Sequence, residues 1–234
     1  MSIGSFFVFI NEVGLVPHIF GQNEFLYFLF LFAVLLASYL FGSLNSAIIV
    51  SKLLYGEDIR TKGSGNAGLT NFIRNYGASR SVLVILIDVL KGIFACWLGA
   101  EMFASYGHPL EGKVLAGVAV MVGHDFPALL GFRGGKGILT GWFIAWMIDW
   151  RVGLLIAIVF FTTYFTTQLV SLCSILSAIT FGVAFAVFYW GNPFVVIGCV
   201  FMGGLTVFQH RANIVRLIQK KESKTNLFKL GKHK

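Results

Sequence analysis

Polar residues interrupt this chain at the intervals a bilayer demands. Apolar runs cover 26–54, 82–106, 113–131, 138–150, 152–170, 171–190 and 193–212, and the short stretches between them hold most of the charge. A helix needs about 20 apolar residues to cross the hydrocarbon core. The pattern therefore predicts an all-α integral membrane protein with about seven transmembrane helices. A count of five or six stays open, because some runs are short and others nearly abut. Residues 3–20 are also apolar but are broken by Glu12 and Pro17 and lack the basic start of a secretory signal. They predict an interfacial or re-entrant segment. The chain so divides into an N-terminal extension at 1–24, a multi-spanning domain at 25–217 and a basic tail at 218–234.

Composition supports the same class. Apolar residues make up 57% of the chain, charged residues 12%, and the mean hydropathy is +0.81, leaving no room for a separate soluble domain. The basic residues then set the orientation. None precedes Lys52. Fifteen of the eighteen fall in three clusters: Lys52 to Arg80, Arg133 with Lys136, and Arg211 to Lys234. Seven spans with the N-terminus outside put all three clusters, the glycine-rich loops and the C-terminus in the cytoplasm. An even number of spans does not. The net charge of +8 is explained by attraction of a basic tail to anionic lipid headgroups, so nucleic acid is not an expected partner.

Several chemistries drop out. Cys96, Cys173 and Cys199 lie in apolar runs without C-x-x-C spacing and read as small hydrophobes. There is no H-E-x-x-H, no Cys/His cluster and no nucleophile elbow, so neither a metal nor a cofactor is expected. Gly63, Gly65 and Gly68 match G-x-G-x-x-G, but a membrane helix precedes them where a dinucleotide fold needs a strand. GFRGGKGILT at 131–140 resembles a P-loop, yet Lys136 is followed by Gly and the spacing is one residue short.

The physical content of those motifs survives the loss of the fold. Consecutive glycines let backbone N–H groups turn into an anion-binding nest. Ser64, Asn66, Thr70 and Asn71 add side-chain donors around Gly65, and Arg74 adds a planar fork suited to phosphate. Gly134, Gly135 and Gly137 bracket Lys136 in the same way, with Thr140 following. His210 and Asn213, three residues apart, share a helical face, while Arg211 and Arg216 point elsewhere. Ser171 is placed to line a cytoplasmic pocket. One such loop alone reads better as an ordinary interfacial loop; three on one side of the membrane favour binding of two phosphate groups. Asp88 and Lys91, at i and i+3 inside a span, read as a mutually neutralising pair that positions its helix under the first loop. His124 and Asp125 are open between helix packing and chemistry.

The segments DIR-x-x-GSGNAGLTN-x-x-R, DVLKG, GHDFP-x-x-x-x-FRGGKGI-x-T, VSL-x-SI and HRANI-x-RL occur here in one order. In that order they resemble the bacterial acyl-phosphate-dependent glycerol-3-phosphate acyltransferases, the PlsY family, over about residues 25–216. The resemblance implies an enzyme of the bacterial cytoplasmic membrane that moves a long-chain acyl group from acyl phosphate to the 1-hydroxyl of glycerol 3-phosphate. It implies Lys136, His210 and Arg74 as the catalytic residues. Ser64, Gly65, Asn66, Thr70, Asn71, Gly134, Gly135, Gly137, Ser171 and Asn213 would bind the substrates. The chain departs from the family pattern at Gln168 and Gln209, where a basic residue is usual, at Asn45, where proline is usual, and in its first 24 residues. The rival readings are a transporter or binding protein for a phosphorylated polyol, which should show inverted repeats that are absent here, and an acyltransferase with another acceptor.

Overall fold

The structure, a computed structural model, describes residues 24–104 and 107–227. Among these, ten α-helices follow one another: α1 Glu24–Gly42, α2 Ser46–Tyr55, α3 Leu69–Tyr76, α4 Ala78–Ala104, α5 Pro109–Asp125, α6 Ile138–Ile148, α7 Trp150–Thr167, α8 Val170–Phe188, α9 Pro193–Gln209 and α10 Arg211–Ile218. The expectation for residues 1–23 lies outside the described residues.

Four helices are long and apolar enough to cross a bilayer: α4, α5 with its extension to Leu130, α7 and α8. The count reaches six if two bent pairs each form one span, α1 with α2 at 41° and α9 with α10 at 56°. Both bends have visible causes. After Gly42 the chain turns, and Asn45 caps α2 by accepting from Ile48 N at 3.1 Å. At the other bend, His210 interrupts the apolar run and opens a short polar helix. The run at 138–150 is helical over only 11 residues, which rise about 16 Å.

Helix α5 is the centre of the bundle and packs against α1, α4, α6 and α9. Small residues let it do so. A side chain added at Gly99 of α4 would strike the Gly112 backbone of α5, and one at Gly112 would strike Gly99, the close-crossing device of membrane helices. The bundle interior is apolar, built around Cys96, Val120, Met121, Ile144, Phe185 and Cys199. The outside is equally apolar. Leu83, Leu86, Leu90, Phe94 and Trp97 repeat along one exposed face of α4, as lipid contact requires. The chain is an integral membrane protein by this surface as well as by helix length.

The bundle has two chemically different ends. At one, Asn192 donates to Glu111 at 2.9 Å, Tyr189 donates to Asp149 at 3.1 Å and Lys113 reaches the Met147 carbonyl at 2.8 Å. The other gathers the turns after α2 and α5, the α7–α8 junction and everything beyond α9.

Candidate active site

The first turn, residues 56–68, is a folded unit. Ile59, Ala67 and Phe72 are buried with Ala47, Ile48 and Val84 beneath it. Asp58 caps a 3-10 turn over Ile59–Thr61 and binds the Arg60 guanidinium, which holds its carboxyl below the usual range. Gly63 and Gly65 take φ of +54° and +71°, backbone that glycine adopts without strain. Asn71 organises the rest. Its Nδ2 donates to the carbonyls of Ile59, Lys62 and Asn66 at 3.3, 3.1 and 3.0 Å, and its Oδ1 accepts from Ser64 N at 3.0 Å. Asn71 is thus spent on shaping the loop, not on its surface as a phosphate donor. Ser64 and Gly65 are exposed, while Asn66 and Thr70 are half-buried at the start of α3. Asn45 joins the loop too, donating to the Ala67 carbonyl at 3.2 Å.

The second turn differs from expectation in a similar way. Gly134 N donates to the Asp125 carbonyl at 3.2 Å and Gly135 N to the His124 carbonyl at 3.1 Å. Two of the expected nest donors therefore dock the turn on the end of α5. Gly137, at φ +69°, caps α6 and lets the chain enter the helix. Between them Lys136 projects half-buried, and its Nζ donates to Asn213 Oδ1. The two turns are tied together by Arg60, whose Nη1 donates to the carbonyls of Leu130 at 2.6 Å and Arg133 at 3.3 Å.

The third component is the break between α9 and α10. His210 is buried, with Nδ1 at 2.8 Å from the Thr206 carbonyl. A carbonyl can only accept, so the proton is on Nδ1 and Nε2 keeps its lone pair. Asn213, on the next turn, bridges Lys136 to Glu222 through its Nδ2 at 2.9 Å. Arg216 belongs here as well, contrary to expectation: its Nε donates to Glu222 Oε2 at 2.7 Å. Ser171 is buried against the same carboxylate.

Sequence reasoning missed the inner part of the tail. Burial would raise the Glu222 carboxyl, but hydrogen bonds from Arg216 and Asn213 outweigh it and hold the group below its usual range. Thr225 is buried, takes the Arg74 guanidinium on its hydroxyl and donates its N–H to the Gln168 carbonyl at 3.0 Å. Arg74 also reaches the Ser223 carbonyl at 3.1 Å. Glu222 is the only acid after residue 217, and that isolation within KKESK is the signal that could have found it.

Lys136, Asn213 and Ser171 thus gather around Glu222 at one end of the bundle; Arg74 reaches the same tail segment through Ser223 and Thr225, and His210 stands at the start of the helix that carries Asn213. Burial, followed by the repulsion of Arg216, pushes the Lys136 ammonium down to about 8 despite the attraction of Glu222. Beside Lys136 an apolar slot opens between α6, α7, α8 and α9, lined by Gly137, Gly141, Trp142, Phe160, Phe181 and Met202 among others. Of its lining, Gly137 adjoins Lys136 in the chain and the Thr206 carbonyl accepts from His210 Nδ1 at 2.8 Å. The arrangement sets a cationic cluster around Lys136 beside an apolar slot.

Such a fold defines an integral membrane protein with a cluster of basic side chains and glycine-rich turns at one end of its bundle. The family model for glycerol-3-phosphate acyltransferase matches residues 32–220, and the chain belongs to that family. It is 39% identical over 196 residues to a glycerol-3-phosphate acyltransferase of Thermoanaerobacter sp. (strain X514), covering 83% of this chain and 96% of the relative. With the glycerol-3-phosphate acyltransferase of Finegoldia magna (strain ATCC 29328 / DSM 20472 / WAL 2508) it shares 35% over 199 residues, 84% and 97% of the two chains. Crystal structures of PlsY (YgiH), an integral membrane glycerol 3-phosphate acyltransferase, superpose well. The glycerol 3-phosphate form gives a TM-score of 0.73 at 29% identity, covering 85% of this chain and 99% of that one. The lysophosphatidic acid form gives 0.71 at 28%, covering 84% and 96%.

Proposed function

We propose that this chain transfers a long-chain acyl group from acyl phosphate to the 1-hydroxyl of glycerol 3-phosphate, releasing lysophosphatidic acid and inorganic phosphate for phospholipid synthesis. The observation that carries the reading is the junction of two unlike surfaces at Lys136: a cationic cleft on one side and an apolar slot on the other. Both substrates bear phosphate and one bears a lipid tail, so an enzyme joining them needs both surfaces at one point.

In the reaction the hydroxyl oxygen bonds to the acyl carbon, the bond from that carbon to the phosphate oxygen breaks, and phosphate leaves with the electron pair. Acyl phosphate is already activated, so no enzyme nucleophile is required. Positioning and charge stabilisation supply the rate. Lys136, on a turn held by α5, neutralises charge growing on the leaving phosphate. Ser64, Gly65, Asn66 and Thr70 with Arg74 hold a phosphate at the first turn, and Ser171 and Asn213 orient glycerol 3-phosphate. His210 keeps Nε2 free to take the hydroxyl proton, because its Nδ1–H is committed to Thr206. Asn71, Gly134 and Gly135 act by shaping the two turns.

The same reading counts seven crossings in the bacterial cytoplasmic membrane, with the N-terminus outside and residues 25–217 as the enzyme unit. It takes α6 as a short span and each bent pair as one. The basic residues of 52–80, 133–136 and 211–224 then share the cytoplasmic end with the cleft. Purified protein given palmitoyl phosphate and labelled glycerol 3-phosphate should yield labelled lysophosphatidate, with palmitoyl-CoA as control donor. Arg74→Ala and Lys136→Ala should each abolish turnover without loss of membrane insertion. Near-normal activity in both variants would remove the cleft from the reaction.

A further inference from the structure

Beneath the second turn lies a charged network that the chemistry above does not use. Asp88 and Lys91 of α4 are 3% and 2% exposed, and Lys91 Nζ stands 2.8 Å from Asp88 Oδ1. The ammonium also meets Nδ1 of buried His124, near the end of α5. An ammonium only donates, so Nδ1 accepts and the ring proton sits on Nε2. The Nε2 edge of that ring faces Gly135 so closely that a side chain there would collide with it. His124 and Asp125 also accept the N–H groups of Gly135 and Gly134 through their carbonyls. Thr140, in the first turn of α6, donates to the Asp88 carbonyl at 3.3 Å. Both ends of the segment carrying Lys136 are therefore fixed to one buried assembly. The pair sits under the second turn, while Val84 and Ile87 of the same helix pack beneath the first as expected.

A buried ion pair inside a membrane bundle is a poor device for stability, because desolvation offsets most of its attraction. Ion pairing is directional, however, and can hold a ring in one orientation where apolar packing would allow several. We propose that Asp88, Lys91 and His124 are positioning residues for the acyl transfer. They clamp the imidazole as a plate on which Gly135 rests, and this sets where Lys136 Nζ meets the leaving phosphate. The inference rests on the reading of Lys136 given above.

Three measurements on the purified full chain test it. His124→Leu should lower kcat roughly 100-fold, the usual cost of a displacement near 1 Å at a reacting group, while KM for glycerol 3-phosphate stays near that of the wild type. His124→Asn, whose Oδ1 can accept from Lys91 in place of Nδ1, should recover part of that loss. An unchanged kcat in His124→Leu would overturn the proposal. Should His124→Leu fail to fold, Asp88→Asn/Lys91→Met releases the ring without stranding a charge and carries the same expectations. Amide hydrogen exchange gives a readout without turnover: exchange across residues 132–138 should accelerate in the variant while α8 is unchanged. If the wild type proves inactive on acyl phosphate but that acceleration is seen, the proposed reaction fails and the positioning role stands. If exchange at 132–138 is unaltered, the positioning role fails whatever the reaction.

Discussion

Asn71→Asp changes one heavy atom and inverts the chemistry of the first turn. In the native loop the amide nitrogen feeds three carbonyls, those of Ile59, Lys62 and Asn66, at 3.0–3.3 Å. A carboxylate keeps the oxygen that accepts from Ser64 N but turns the donor into an acceptor aimed at three other oxygens. Two N–H groups serve the three carbonyls, so at a net of about 1 kcal/mol each the loss is about 2 kcal/mol, and repulsion between the carboxylate and the three carbonyl oxygens raises it to about 3 kcal/mol. That energy falls on the ordered state of residues 56–68 and not on the bundle, since these bonds stay within the loop. A shift of this size lowers the ordered fraction roughly 100-fold, and the apparent affinity for a ligand bound by the ordered loop falls in proportion. KM for glycerol 3-phosphate or for acyl phosphate should rise by up to that factor, with thermal unfolding of the bundle little changed. Hydrogen exchange of residues 57–68, measured without substrate, should quicken in parallel. Steady-state kinetics and exchange on the same preparation decide the matter. Slow exchange in the variant together with a raised KM would mean that Asn71 touches substrate directly, and the loop-shaping account would be refuted.

Three further outcomes follow from the same geometry. Lys136 is charged below about 8 and neutral above it, so kcat/KM should fall as pH rises through that value; Lys136→Arg, if active, should lose this alkaline limb because a guanidinium stays charged. The Glu222 carboxylate favours the Lys136 ammonium, so Glu222→Gln should move the limb to lower pH, and a limb that stays put would separate the two residues. Gly135→Ala drives a methyl group into the His124 ring; it should cost about 1–3 kcal/mol by overpacking, seen as a lower melting temperature and a lower kcat.

Membrane class, most helix positions and the family were legible in the residues, because apolar length and glycine-rich motifs are local signals. Lys136, Asn213 and His210, which the structure brings to one end of the bundle, stood out for the same reason. What the sequence concealed was the direction in which groups face. Asn71 and the N–H groups of Gly134 and Gly135 looked like ligand donors, but their partners are carbonyls of their own turns, which fold back on themselves without any periodic signal. Arg216 looked turned away, yet it stands three residues after Asn213 on the same short helix, and both reach Glu222, a partner in the tail outside the motif. Glu222 and Thr225 were hidden in a charge run whose neighbours give no periodicity. Asp88 and Lys91 were seen as a pair, yet the element they support comes from a turn more than forty residues downstream.

The brevity of α6 carries a consequence for where the lipid reacts. Its 11 residues rise only about half the hydrocarbon thickness. On the proposed reading of α6 as a span anchored at Asp149, Lys136 would be drawn below the headgroup plane, toward the depth at which ester carbonyls of neighbouring lipids lie. An acyl donor could then meet the ammonium by sideways diffusion within its leaflet and need never be hoisted into water. Turnover should on this account depend on the thickness of the surrounding bilayer.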